Sequence, residues 1–144
     1  MQTNHTLSAT DRTAVLKLLR QTRPDLQALY LFGSAATGEL GPQSDIDLAL
    51  LFSPAQSKTL PLYGSEAHSA LSRYVGRDID LINLRQVATV FQVQIISTGQ
   101  LLFDGDRYAR QTFEMYAYSF YQKLNEERAE ILAQLYATGE AYRV

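Results

Sequence analysis

Residues 31–48 read LFGSAATGELGPQSDIDL, and their order decides the fold: an apolar strand runs into Gly33-Ser34, a loop with a short helical turn follows, and a second strand opens at Asp45-Ile46-Asp47. Successive strand side chains point to opposite faces, so Asp45 and Asp47 share one face about 6–7 Å apart while Ile46 turns to the core. Paired Asp residues are often turn formers or helix caps, and Asp45, coming after Gly41-Pro42-Gln43-Ser44, could simply close a turn. Asp47 has no turn left to make, because Leu48-Ala49-Leu50-Leu51-Phe52 follows it. A carboxylate at the edge of such an apolar run is costly unless something positive meets it. Two carboxylates on one face therefore point to a divalent cation.

The same stretch offers the other half of a phosphate site. Gly33 lets the backbone turn without a Cβ, and the Ser34 hydroxyl and the amides after it can face an anion if a helix opens over Ala35 to Leu40. Gly33, Ser34 and Ser44 are thus the candidates for holding a cofactor. Carboxylates for a metal beside donors for phosphate imply a metal–nucleotide complex, and hard oxygen ligands favour Mg²⁺ or Mn²⁺.

Around this motif the chain alternates helices and strands. Ser8-x-x-Asp11 caps a helix reaching about Gln21 and stopped near Pro24, with Val15, Leu16, Leu18 and Leu19 facing inward. Strands are expected over 28–32, 45–52 and 78–84, a loop around Pro54 and Pro61, and a helix over 65–75 ended by Gly76. The segment 87–95 fits strand alternation and a helical face equally well. A short strand at 100–103 and the Asp104-Gly105 turn lead into a long helix from about Asp106 toward Tyr136. Its stripe of Phe113, Tyr116 or Ala117, Phe120, Leu124, Ile131 and Leu135 first packs on the chain's own sheet. Past Leu124 the helix outruns so small a core at about 1.5 Å per residue. Tyr118, Tyr121, Tyr136 and Tyr142 add a second aromatic surface suited to a protein interface or a homodimer contact. The fold class is α/β, with a small mixed sheet flanked by helices. A core over residues 1–104 and a C-terminal helical extension over 105–144 form a single domain.

Composition narrows the function. The chain has 144 residues, 46% of them hydrophobic, which suffices for one core and not two. A net charge of −2 without a basic run argues against a broad electrostatic nucleic-acid binder. No cysteine is present, so disulfides and thiolate metal sites are excluded. The N-terminus lacks an apolar signal region and no stretch approaches the ~20 apolar residues of a membrane span, so a cytoplasmic protein is expected.

Gly33-Ser34, ten residues at 35–44, then Asp45-x-Asp47 closely resembles the signature of the DNA polymerase β-like nucleotidyltransferase superfamily. The short chain is similar to the minimal nucleotidyltransferases, in particular the MntA antitoxins that accompany HEPN-domain toxins of the HepT kind. The resemblance covers roughly the first hundred residues, and it implies a helix, ended by Gly99, for the ambiguous segment that includes 87–95. It implies a third carboxylate on a neighbouring strand, best placed at Asp80 within Arg77-Asp78-Ile79-Asp80-Leu81, with Asp78 on the same face as the alternative. It implies that Asp45, Asp47 and Asp80 are the catalytic residues and the ligands of two Mg²⁺ ions, with Asp80 the proton acceptor, and that ATP is the substrate. It further implies AMP transfer to a tyrosine hydroxyl of a HEPN ribonuclease toxin, which inactivates it. Ala35 and Thr37 stand where that family is often basic, which leaves Arg73, Arg77 or Lys58 to meet the triphosphate charge. A small-molecule acceptor would need a further substrate domain that the length does not provide. A purely sequestering antitoxin would have no need for unpaired carboxylates.

Overall fold

The computed structural model describes residues 7–38, 41, 44–58 and 65–138. Pro61, Tyr142 and the polar segment before Leu7 lie outside the described residues.

Four strands form one mixed sheet: β1 (Ala28–Phe32), β2 (Ile46–Leu51), β3 (Ile79–Asn83) and β4 (Gln100–Asp104), in the spatial order β3-β2-β1-β4. β1 runs antiparallel to both β2 and β4, whereas β2 and β3 are parallel. β1 is buried along its whole length, as a central strand covered on both faces must be. Alternation sorts its side chains. Leu29 and Leu31 face a core shared with Leu48, Leu50, Ile79 and Leu81, while Ala28, Tyr30 and Phe32 face another shared with Ala49, Leu51 and Leu84.

Helices close both faces. The first core is covered by α1 (Ala9–Thr22) through Val15 and Leu19, and by α4 (Glu66–Val75) through Ala67 and Leu71. Both begin on a serine: Ser8 Oγ accepts from the Asp11 amide and Ser65 Oγ from the His68 amide, each 3.1 Å. Two short helices lie on the connections, α2 (Ser34–Thr37) and α3 (Pro54–Ser57). The second was expected to be loop. Ser53 caps it and Pro54 enters its first turn, where a missing N–H costs nothing.

The ambiguous segment is helix α5 (Thr89–Thr98), which Gly99 ends. It lies between the sheet and α6 (Arg107–Thr138), so apolar residues serve on two sides and blur its period. Strand β3 stops at Asn83, one residue short of the expected end, where the Asn83 side chain accepts from the Arg85 amide and starts a 3₁₀ turn.

α6 has 32 residues and extends about 48 Å. Phe113 and Ala117 are its buried residues. Tyr30 donates its hydroxyl to Glu114 at 2.5 Å, and Arg110 bridges Glu114 and Asp104, each at 3.0 Å, tying the helix to β1 and β4. Burial, then the Glu114 carboxylate, pushes the Tyr30 phenol well above its ordinary range. Beyond Ala117 the expected stripe is bare, and earlier than Leu124: Phe120 is already 58% exposed and Tyr136 is 86% exposed. Among the described residues no helix is long and apolar enough to cross a membrane.

Candidate active site

The sheet register sets Phe32, Asp47 and Asp80 in one row across β1, β2 and β3. Asp47 and Asp80 keep step with Ala49, Leu51 and Ile82, on the face that α5 and α6 cover further along. Asp45 stands at the mouth of β2 rather than inside it, two residues before Asp47 and on the same face. Asp78 precedes β3 and spends its carbonyl on the Ile46 amide, 2.9 Å away. Asp47 is half-buried; Asp45, Asp78 and Asp80 are exposed. Burial, then the fields of Asp80 and Asp45, raises the Asp47 carboxyl to about 6. Of the two carboxylates on β3 and at its entry, Asp80 is the one whose charge acts on Asp47.

Gly33 makes room for this carboxylate. Its φ of +72° lies in the left-handed region, and a Cβ there would collide with the Asp47 Oδ2 atom. Ser34 opens α2 directly after it. Ala35 is buried, and the Thr37 hydroxyl is spent on the carbonyls of Gly33 and Ser34, so α2 itself carries no cation. Gln100 holds α2 against β4 through the Ala36 carbonyl at 2.8 Å.

The approach to Asp45 is held by contacts that the sequence did not announce. The Ser44 hydroxyl accepts from the Gly41 amide at 3.0 Å, which gives it a turn-forming role beside the cofactor role expected of it. Arg77 Nη1 donates to the carbonyls of Gly41 at 2.6 Å and Ser44 at 3.1 Å. The guanidinium was expected only as a phosphate partner, and it also clamps the loop that delivers Asp45. Lys58 follows α3, beyond the far end of β2, and so stands a strand's length from Asp45. His68 on α4 pairs its Nε2 with the Ile79 carbonyl at 2.7 Å, on the free edge of β3. No periodicity or motif marks His68. Two openings lie here: one of about 230 Å³ among Asp45, His68, Asp78 and Asp80, and one of about 380 Å³ among Ser44, Asp45, Ser72, Arg73, Arg77 and Asp78.

Among the described residues no three carboxylate or imidazole groups converge into a ready-made metal cage. The donor set nonetheless suits a hard divalent cation. It consists of carboxylate oxygens, and burial together with the repulsion of Asp80 and Asp45 holds the Asp47 carboxyl above its ordinary range. A cation held by Asp45, Asp47 and Asp80 would offset that repulsion.

Residues 15–108 match the family model of the polymerase beta nucleotidyltransferases. The chain is 33% identical to the protein adenylyltransferase MntA of Shewanella oneidensis over 127 residues, 88% of each chain. It superposes on a chain of a solved toxin–antitoxin complex with AMP-PNP at a TM-score of 0.71, with 33% identity over 86% of this chain and 97% of that one. It also matches a chain of the tri-AMPylated Shewanella oneidensis HEPN toxin in complex with its MNT antitoxin. There the TM-score is 0.66 and the identity 31%, over 88% of this chain and 96% of that one. The row of Phe32, Asp47 and Asp80, entered through Gly33-Ser34, thus lies inside the matched segment, and the chain belongs to the polymerase beta nucleotidyltransferase family.

Proposed function

We propose that this protein is an antitoxin that transfers AMP from ATP to a tyrosine hydroxyl of a cognate HEPN-domain ribonuclease toxin and thereby neutralises it. The observation that carries this reading is the row in which Gly33 clears space for Asp47 and Asp47 adjoins Asp80, in a chain similar over most of its length to a protein adenylyltransferase. A relative found with a tri-AMPylated HEPN toxin supports the same acceptor. The reaction needs ATP and a toxin made in the same cell, so its place is the cytoplasm.

Asp45, Asp47 and Asp80 would hold two divalent ions, Mg²⁺ or Mn²⁺, between them. Such ions, when bound, offset the charge of the triphosphate and make the acceptor hydroxyl more acidic. Ser34 and the amides after Gly33 orient the β and γ phosphates. Asp80 takes the hydroxyl proton as the acceptor oxygen bonds to the α-phosphorus. The bond from that phosphorus to its bridging oxygen breaks and pyrophosphate leaves. Residues 1–104 serve as the transferase core and 105–144 as the extension that meets the toxin, the bare part of α6 being its contact surface.

Incubation with Mg²⁺, ATP and the toxin, followed by intact mass spectrometry of the toxin, tests this reading. The expected result is a gain of one or more AMP units that disappears with Asp47→Asn. An unshifted mass with a stable complex would make the protein a sequestering antitoxin instead.

A further inference from the structure

We propose that the opening of about 380 Å³ at the entry to β2 and β3 is the acceptor subsite, and that Arg73 with Arg77 recognises there a singly charged oxyanion carried next to the acceptor hydroxyl. This rests on the function proposed above.

The sheet supplies the direction. In-line phosphoryl transfer puts the attacking oxygen and the leaving group on opposite sides of the α-phosphorus. Gly33 and Ser34 follow β1, Asp47 is on β2 and Asp80 on β3, with neighbouring strands about 4.8 Å apart. Pyrophosphate held near Ser34 therefore leaves toward β1, and the acceptor arrives from the β3 side. β3 is an edge strand, so nothing in the sheet stands beyond it. The opening lies at the entry to that strand, where Asp78 leads toward Asp80, between the Ser44–Asp45 loop and the last turn of α4.

Its charge decides what fits. With Asp45 given to the cation, Arg73 and Arg77 face Asp78 alone, a surplus of one positive charge that suits one negative charge and not a triphosphate. Arg77 is fixed by the two loop carbonyls, whereas Arg73 is exposed and, among the described residues, holds a 3.4 Å contact from Nε to the Ser69 carbonyl. One guanidinium is built in and the other is free to swing onto a ligand. Two groups carry the required chemistry: a carboxylate side chain flanking the acceptor tyrosine, or the phosphodiester of an AMP already attached. The second would favour repeated addition.

The test uses the full chain with Mg²⁺, ATP and toxin, comparing wild type with Arg73→Gln, Arg73→Glu and Arg73→Lys, each checked for an unchanged melting curve. The readouts are KM for ATP, KM for toxin, and the distribution of toxin carrying one, two or three AMP units. The expected result is a rise of about tenfold in KM for the acceptor with KM for ATP unmoved, partly restored by lysine. Slowing of the first addition identifies the carboxylate; loss of only the later additions identifies the phosphodiester. A rise in KM for ATP alone, or no change in either constant or in the distribution, overturns the proposal. A wild-type protein that adds no AMP overturns the proposed function itself, and the subsite with it.

Discussion

Gly33 and Asp47 share one volume: the space a side chain on Gly33 would need is filled by the Asp47 carboxylate. Gly33→Ala therefore combines two costs. Alanine at φ +72° and ψ −151°, a conformation essentially reserved for glycine, loses about 1–3 kcal/mol, and its methyl group displaces the carboxylate from the row. AMP transfer should fall by about a hundredfold, since small misplacements at a reacting centre cost that much. Transfer rates beside a denaturant titration separate the two effects. A rate within twofold of wild type would mean that the row is not where the chemistry occurs.

The raised Asp47 carboxyl makes a pH prediction. Its folded value of about 6 exceeds the ordinary 3.8, so the fold favours the protonated form. The metal-free protein is then free of this penalty below about pH 4, and loses stability through this group as pH rises to and past 6. Asp47→Asn should stabilise the metal-free protein near neutral pH by about 1–2 kcal/mol, the full value being reduced by solvent screening at a half-buried site. It should give no gain near pH 4, and its AMP transfer should drop to background. Melting curves across pH in the presence of a chelator would decide the point. Equal gains at both pH values would show that the charge of Asp47, penalised by burial and by its neighbours, is not the cause.

Tyr30→Phe removes the hydroxyl that Glu114 accepts while leaving the ring in its core. A loss of about 1–2 kcal/mol is expected in urea unfolding, the usual cost of orphaning a half-buried partner. AMP transfer by the folded variant should stay within twofold, since the pair lies outside the carboxylate row.

On α6, Leu124 and Ile131 are exposed. Leu124→Asp and Ile131→Asp should leave monomer stability within about 0.5 kcal/mol. The toxin complex should weaken by tenfold or more, read by titration calorimetry. A drop in monomer stability would place these side chains under the chain's own core.

The first hundred residues were largely legible because their cues are local. Ser8 and Ser65 announce helix starts, Gly76 and Gly99 announce ends, and the boundaries of β1 are those its apolar run implies. The row itself was half legible. Period two put Asp45 with Asp47 and Asp78 with Asp80, but only pairing across strands tells which residue on β3 stands beside Asp47. Contacts between distant segments left no trace in the sequence. Arg77 reaching back 36 positions to Gly41, and His68 meeting the edge of β3, depend on where α4 packs. Phe120 misled for the same reason: helical spacing shows which side chains align, not where the surface beneath them ends.

The course of α6 joins two halves of the molecule. Arg110 touches Asp104, the register partner of Ala28, and one turn later Glu114 touches Tyr30. The helix is thus tied to β4 and β1 over its first turns, and residues 118–138 carry it about 30 Å further. Its uncovered length stands clear of the sheet that carries Gly33, Asp47 and Asp80. A partner gripping that length is tethered to the molecule that carries the carboxylates, so its hydroxyl meets the nucleotide at an effective concentration set by geometry instead of by its abundance. Weak recognition of the hydroxyl itself is then enough, and selectivity among acceptors resides in the grip.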